Sequence, residues 1–195
     1  MRIVISGTHA SGKSTLISDF AFAHPEFEVL PDPYELIDSA SEADAGSFFA
    51  QLRLSAARLL DAPRGAHVIA ERGPLDFVAY LEALEVLRRP TRSAGLTERG
   101  AALTATAMTH VDLLVVLPLS HREGIEVPDD EDPELRDAMN EALLELVDDP
   151  DLTGTALVVE ITGEPSARLA QLEASVLRLG RGGPTGRGPS EAART

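Results

Sequence analysis

The sequence predicts an α/β sandwich of three layers, a five-stranded parallel sheet with helices on both faces, entered through a phosphate-binding loop. Three observations predict it. The apolar run 2–6 leads into Gly7-Thr8-His9-Ala10-Ser11-Gly12-Lys13-Ser14, which has the G-x-x-x-x-G-K-[ST] spacing of a P-loop and opens into a helical stretch. Further short apolar runs follow, separated by residues of helical periodicity, the alternation that builds a parallel sheet. Polar or charged residues stand just after the strand runs, where ligands sit in such sheets.

Residues 2–6 read as the first strand and 12–23 as the helix behind the loop. His24-Pro25 ends that helix, because proline disfavours helical geometry in the residue before it. Residues 27–30 read as a short strand, and Pro31-Asp32-Pro33 is expected to hold the backbone extended beyond it. Over 46–61, Phe48, Phe49, Leu52, Ala56, Leu59 and Leu60 share one broad helical face. A turn at 63–65 precedes a strand from 67 that ends in Glu71-Arg72. The spacing of Phe77, Tyr80, Leu81, Leu84 and Leu87 predicts a helix over 75–87 with Tyr80 in its apolar face. After a polar loop at 88–93 comes a helix over 97–109, with Thr97 as its expected N-cap. A buried strand at 112–117, an acidic loop at 118–132, a helix at 133–147, a last strand at 156–161 and a closing helix at 164–179 complete the domain.

The loop carries the chemistry. Gly7 and Gly12 let backbone N–H groups converge on phosphate oxygens with no Cβ in the way. The helix beginning near Gly12 adds unsatisfied N–H groups and its positive dipole end. Lys13, expected to be exposed in the empty loop, is spaced to reach the β- and γ-phosphates, and the Ser14 hydroxyl to ligate Mg²⁺. ATP and Mg²⁺ are therefore the expected cofactors. Their loop contacts are Gly7, His9, Ala10, Ser11, Gly12, Lys13, Ser14 and Thr15, with His9 at a variable position of the motif.

The net charge of −15, from 32 acidic and 17 basic residues, repels nucleic-acid phosphates and disfavours a general DNA- or RNA-binding role. It leaves room for a small phosphorylated ligand, which answers to local groups. There are no cysteines, so disulfides and thiolate metal sites are absent, in keeping with a reducing cytoplasm. No apolar run approaches membrane-spanning length, and the first residues read as strand rather than signal peptide. Residues 180–195, rich in Gly, Pro and Arg, have nothing to bury and read as a disordered tail behind a domain over 1–179.

At Glu71-Arg72-Gly73-Pro74-Leu75-Asp76 the chain resembles the small P-loop kinases that phosphorylate nucleosides and related metabolites, in particular deoxynucleoside and ribosylnicotinamide kinases. Glu71-Arg72-Gly73 is similar to their Glu-Arg-Ser, Asp32-Pro33 to their Glu-Pro, and Phe48-Phe49-Ala50-Gln51 to their Phe-x-x-Gln, whose glutamine contacts the nucleobase. The likeness spans roughly residues 1–118. It implies a sheet ordered 2-3-1-4-5 and a lid over about 119–135 that closes to exclude water. Two departures stand out. Gly73 replaces the family serine, and segment 119–137 offers only Arg122 and Arg136 amid many acids, where the family lid carries several arginines. The chain also resembles bacterial P-loop ATPases of unassigned substrate that share an acid-Arg-Gly turn followed by an aspartate.

Candidate roles follow, each beside a simpler one. Asp32 is the candidate general base, or a turn aspartate between prolines. Glu71 is the candidate Walker B acid, holding Mg²⁺ through water or binding a substrate hydroxyl, or a helix-entry acid. Arg72 binds substrate or transferring phosphate, or forms a structural salt bridge. Arg122 and Arg136 are candidate lid cations, with Glu134 and Asn140 as alternative neighbours of Arg136. Gln51 and Tyr34 are candidate acceptor contacts, and Asp129-Asp130-Glu131-Asp132 is a solvated acidic loop. The leading reading is phosphoryl transfer from ATP to a hydroxyl of a small nucleoside-like acceptor. A regulatory P-loop NTPase signalling to a protein partner is the rival, and a nucleotide-binding module without turnover is a third. Acids at the ends of strands two and three favour the kinase; the arginine-poor lid favours the rival. ATP versus GTP preference and a homodimer are left open. Deleting 180–195 is expected to leave the melting temperature and nucleotide affinity nearly unchanged, as measured by thermal melts and titration calorimetry; a drop of several degrees would show that the segment packs on the domain.

Overall fold

The structure is a computed structural model describing residues 1–36, 44–89, 95–119 and 132–181. Five strands, β1 (Arg2–Ser6), β2 (Glu28–Leu30), β3 (Val68–Glu71), β4 (Leu113–Val116) and β5 (Leu157–Glu160), form one parallel sheet ordered β2-β3-β1-β4-β5. This is the expected order. Helices α1 (Lys13–Ala23), α2 (Pro33–Leu36), α3 (Ala45–Asp61), α4 (Pro74–Val86), α5 (Leu96–Met108), α6 (Pro133–Leu146), α7 (Pro150–Thr153) and α8 (Pro165–Arg181) occupy the connections.

Strand alternation divides the core between the two sheet faces. In β1, Val4 faces the side of α3, α4, α5 and α6, while Ile3 and Ile5 face α1 and α8. In β4, Leu114 and Val116 join the first side, and Leu113 and Val115 the second. Both faces of these central strands are covered, which is why they read as continuous apolar runs rather than alternating ones. Helix α4 is enclosed by α3, α5 and α6, so Tyr80 is buried in its apolar face as the spacing implied. On the other side Phe20 stacks on His24 and meets Phe27 edge-on, closing the first crossover.

Registers Ile5↔Glu71 and Ser6↔Val116 bring the carboxyl ends of β3, β1 and β4 level at one edge of the sheet. The loop after β1, the Glu71-Arg72 turn and the exit of β4 therefore converge there, with Asp32 one strand further out.

The structure corrects four expectations. Residues from Pro33 onward are not extended: Pro33–Leu36 turns into α2, and Asp32 Oδ1 accepts the Tyr34 N–H at 3.0 Å. Proline is well suited to the first position of a helix, so the second proline starts one. Thr97 does not cap α5. Gly95 does, at φ 73°, and the Thr97 hydroxyl donates to Glu85 at 2.6 Å. The short helix α7 was not legible. The closing helix runs to Arg181, two residues into the segment read as tail. Residues 182–195, most of the 119–135 lid with Arg122 and Asp129-Asp130-Glu131, and residues 90–94 of the polar loop lie outside the described residues.

The Gly73 departure has a packing reason. A Cβ there would lie 2.6 Å from Val4 Cγ1, and Val4 is fully buried in the central strand with no room to withdraw. Gly73→Ala is expected to cost about 1–3 kcal/mol of stability, the usual range for overpacking a well-filled core. Urea unfolding measures it; a midpoint equal to wild type would show that β1 and α4 can separate locally at no cost.

Candidate active site

The loop after β1 is built tightly. A Cβ on Gly7 would come within 2.7 Å of Ser11 Oγ and 2.8 Å of the Leu117 carbonyl, so only glycine fits between the loop and the β4 exit. Ala10 and Gly12 take left-handed conformations at φ 50° and 86°, which curls the chain and turns successive N–H groups inward. Asp76, at 0 % exposure, anchors the entry: its carboxylate accepts from the Ser6 hydroxyl at 2.6 Å, Gly7 N–H at 2.9 Å and Gly73 N–H at 2.9 Å. Burial raises the Asp76 pKa, against the pull of Arg72 and these hydrogen bonds.

Lys13 is not exposed, contrary to expectation. Its side chain is folded into the loop, and Nζ donates to the Thr8 carbonyl at 2.6 Å and to Ser11 Oγ at 3.4 Å. Burial, reinforced by the Arg72 charge, lowers its pKa to about 7. The curled loop offers carbonyls at the distance an extended lysine would have to leave, so the amine turns back onto them.

Ser14 Oγ donates to Glu71 Oε1 at 2.7 Å, bringing the candidate metal-ligating hydroxyl and acid together. Arg72 follows at φ 61°, a left-handed conformation costly for a side-chain-bearing residue. Its peptide N–H still donates to the Ile5 carbonyl, and its carbonyl accepts from Ser55 Oγ. The guanidinium is 3 % exposed and fully engaged. Nε donates to Asp32 Oδ2 at 2.6 Å, one terminal nitrogen to Tyr80 Oη at 3.1 Å, and the other meets His9 Nδ1 at 3.0 Å. Burial opposes its charge, but Tyr80, Asp32 and Asp76 outweigh burial and raise its pKa. Asp32 and Arg72 are thus joined in the salt-bridged arrangement.

His9 closes the ring from the loop side. The residue is exposed overall, but its Nδ1 edge faces Arg72 and its ring meets Tyr34 edge-to-face at 5.8 Å. Partial burial and the charges of Arg72 and Lys13 lower its pKa to about 4, so it is neutral and can accept the Arg72 hydrogen bond. Gln51 is buried on α3, and Tyr34 is exposed on α2. Arg136 pairs with neither Glu134 nor Asn140. It reaches from α6 to the loop, with Nε on the His9 carbonyl at 3.1 Å and a terminal nitrogen on that of Ala10 at 3.4 Å.

Two residues escaped the sequence reading. Asp76 could have been found as an acid in the first turn of α4, three residues after its N-cap and followed by an apolar run. Arg168 shares the inward face of α8 with Leu172 and Ser175, and an arginine at such a position is the available signal. It donates to the Gly163 carbonyl and to the Ser11 carbonyl, both at 2.7 Å. Beside it a cavity of about 210 Å³ is lined by Gly12, Thr15, Leu16, Gly163, Glu164, Pro165 and Arg168.

These residues fit a metal-bound nucleotide. The glycine cradle excludes side chains from the anion position, and Ser14 and Glu71 form a hydroxyl–carboxylate pair suited to Mg²⁺. Among the described residues no group of three or more His, Asp or Glu could hold a metal by itself, which suits an ion that takes its other ligands from phosphate and water. No helix among them is long and apolar enough to cross a membrane.

A family model described as AAA domain matches residues 2–163. The chain belongs to this P-loop family. Solved structures similar to it include two kinases and the NadR protein. Thymidylate kinase from Candida albicans is 17 % identical, with 92 % of each chain covered and a TM-score of 0.62. Deoxyadenosine kinase from M. mycoides is 13 % identical, covering 91 % of this chain and 100 % of that one, with a TM-score of 0.64. NadR in complex with NR is 16 % identical, covering 96 % of this chain and 54 % of that one, with a TM-score of 0.65. At these identities the likeness shows a shared kinase-type P-loop fold. None of the curated proteins matches the sequence.

The buried lysine has a measurable consequence. Near pH 8 Lys13 is largely neutral in the unliganded loop, and a bound phosphate anion stabilises its charged form. Nucleotide binding at pH 8 is therefore expected to take up about one proton, falling towards none near pH 6 where the amine is already charged. Titration calorimetry in buffers of different ionisation enthalpy measures this. Uptake should vanish in Lys13→Met; uptake that persists there would assign the proton to another group. In the unliganded protein the same shift makes stability rise with pH from about 7 to about 10.5, because the unfolded chain binds more protons across that window.

Proposed function

We propose that this protein is a kinase that transfers the γ-phosphoryl group of ATP to a hydroxyl of a small, nucleoside-like acceptor. The observation that carries the reading is the Asp32–Arg72 pair, ringed by His9, Tyr34 and Tyr80 and joined to the phosphate loop through His9. A protein that only hydrolyses nucleotide has no need of a second polar compartment beside its phosphate loop. A kinase needs one to hold the acceptor.

The roles of the chain's own groups follow from their positions. Inward N–H groups of residues 7–14 and the Lys13 ammonium would hold the phosphates, with Lys13 released from the Thr8 carbonyl as it charges. Ser14 and Glu71 would hold Mg²⁺, which would supply positive charge to offset that of the phosphates. The nucleoside end of ATP would enter the cavity between Thr15 and Gly163. Asp32 would accept the acceptor hydroxyl's proton as its oxygen bonds to the γ-phosphorus and the bond from that phosphorus to the β–γ bridging oxygen breaks, the electron pair leaving with ADP. Arg72 orients that carboxylate through one oxygen, while the Tyr34 N–H holds the other. Gln51 and Tyr34 would contact the acceptor's ring. Arg136, bound to the loop carbonyls, would stay beside the phosphates.

Paired variants test the assignment. Asp32→Asn keeps the shape and removes the proton acceptor, so ATP affinity should persist while transfer to a nucleoside acceptor falls by roughly 10²- to 10⁴-fold. Glu71→Gln should instead weaken Mg²⁺-dependent nucleotide affinity as well as turnover. The measurements are single-turnover transfer across a nucleoside panel and nucleotide affinity with and without Mg²⁺. Transfer at the native rate by the Asp32 variant would rule out that base, and ATP consumption indifferent to every acceptor would favour the regulatory NTPase.

A further inference from the structure

Carbonyls of the phosphate loop are held by cations. Thr8 O accepts from Lys13, His9 O and Ala10 O from Arg136, and Ser11 O from Arg168. The last contact is among the shortest and comes from furthest away in the chain, across from α8. Arg168 is 5 % exposed, and its Nε is spent on the Gly163 carbonyl at 2.7 Å, so the guanidinium is fixed at two points.

A peptide plane couples what this does to what a ligand meets. In a trans peptide the carbonyl of Ser11 and the N–H of Gly12 point in opposite directions. Holding the one outward aims the other inward. The restraint matters at this plane because Gly12, at φ 86° and ψ 17°, sits in the left-handed region, which glycine shares freely with other conformations. Rotation of the Ser11–Gly12 plane would withdraw a donor from the anion and present an oxygen to it. The same rotation would take an acceptor from a buried guanidinium, which is costly.

Resting on the kinase reading above, we propose that Arg168 is a positioning residue for phosphate binding: it holds the Ser11 carbonyl so that the Gly12 N–H faces the nucleotide's phosphates. Through the Gly163 carbonyl it also ties the phosphate loop to the far wall of the adjoining cavity, so the two parts of the nucleotide site keep a fixed spacing.

The test compares ATP with inorganic tripolyphosphate, which has the phosphates and no nucleoside. Affinities are measured by titration calorimetry well below the melting temperature for wild type and Arg168→Met. Arg168→Lys, which keeps the charge and loses the planar fork, serves if the methionine variant does not fold. Both ligands are expected to weaken in parallel, by about tenfold, as for loss of one charge-assisted contact to the loop. Loss of ATP affinity with tripolyphosphate unchanged would make Arg168 a wall of the cavity only and overturn the proposal. A lowered melting temperature with both affinities intact would reduce it to a structural contact and overturn the proposal equally. Wild type that binds neither ligand would instead remove the nucleotide reading, and the proposal with it.

Discussion

The carboxylate of Asp76 is the group on which the site's geometry depends. It is buried without exposure, and it accepts from Ser6 at the end of β1, from Gly7 at the mouth of the loop and from Gly73 at the turn after β3. One side chain thereby joins the phosphate loop to the neighbouring strand end. Such a buried carboxyl is tolerated because hydrogen bonds satisfy its oxygens, and removing any one donor would leave a buried acceptor unsatisfied. Glu71 and Arg72 lie between two of those anchor points. Their positions relative to Ser14 and His9 are consequences of where Asp76 holds the two backbones.

Arg72 carries the strain of this arrangement. Its left-handed backbone is unfavourable for any residue with a Cβ, yet four side chains (Asp32, Tyr80, His9 and Ser55) and the Ile5 carbonyl hold it there. The result is a rigid guanidinium behind Asp32. A guanidinium fixed in this way fixes the carboxylate it holds, and preorganised groups need not reorient as charge develops.

The protein is strongly acidic, but its local field is not. Lys13, Arg136 and Arg168 converge from α1, α6 and α8 on carbonyls of the loop, and Arg72, just after β3, meets its His9 ring. The long-range repulsion of a −15 chain acts against extended polyanions, whereas a compact triphosphate answers to groups within a few ångströms. The acidic surface and an anion site are therefore compatible, and the separation between them is one of distance.

Sequence alone determined the elements whose signal is local. The P-loop spacing, the buried strands and the amphipathic helices α3 and α8 are each set by periodicity or by a glycine's freedom, so they could be read without knowing what they touch. Asp32, Glu71 and Arg72 were legible as candidates because strand ends in a parallel sheet share one edge. Tertiary structure decided how those candidates are paired: Arg72 turned towards Asp32 rather than phosphate, Arg136 towards the loop rather than its helical neighbours, and Lys13 folded inward. It also supplied Asp76 and Arg168, whose partners lie 70 and 157 residues away for Ser6 and Ser11 respectively. A hydrogen bond across such a separation leaves no period or spacing in the chain, because its partners are brought together only when the sheet has aligned its strand ends and packed α4 and α8 on opposite faces.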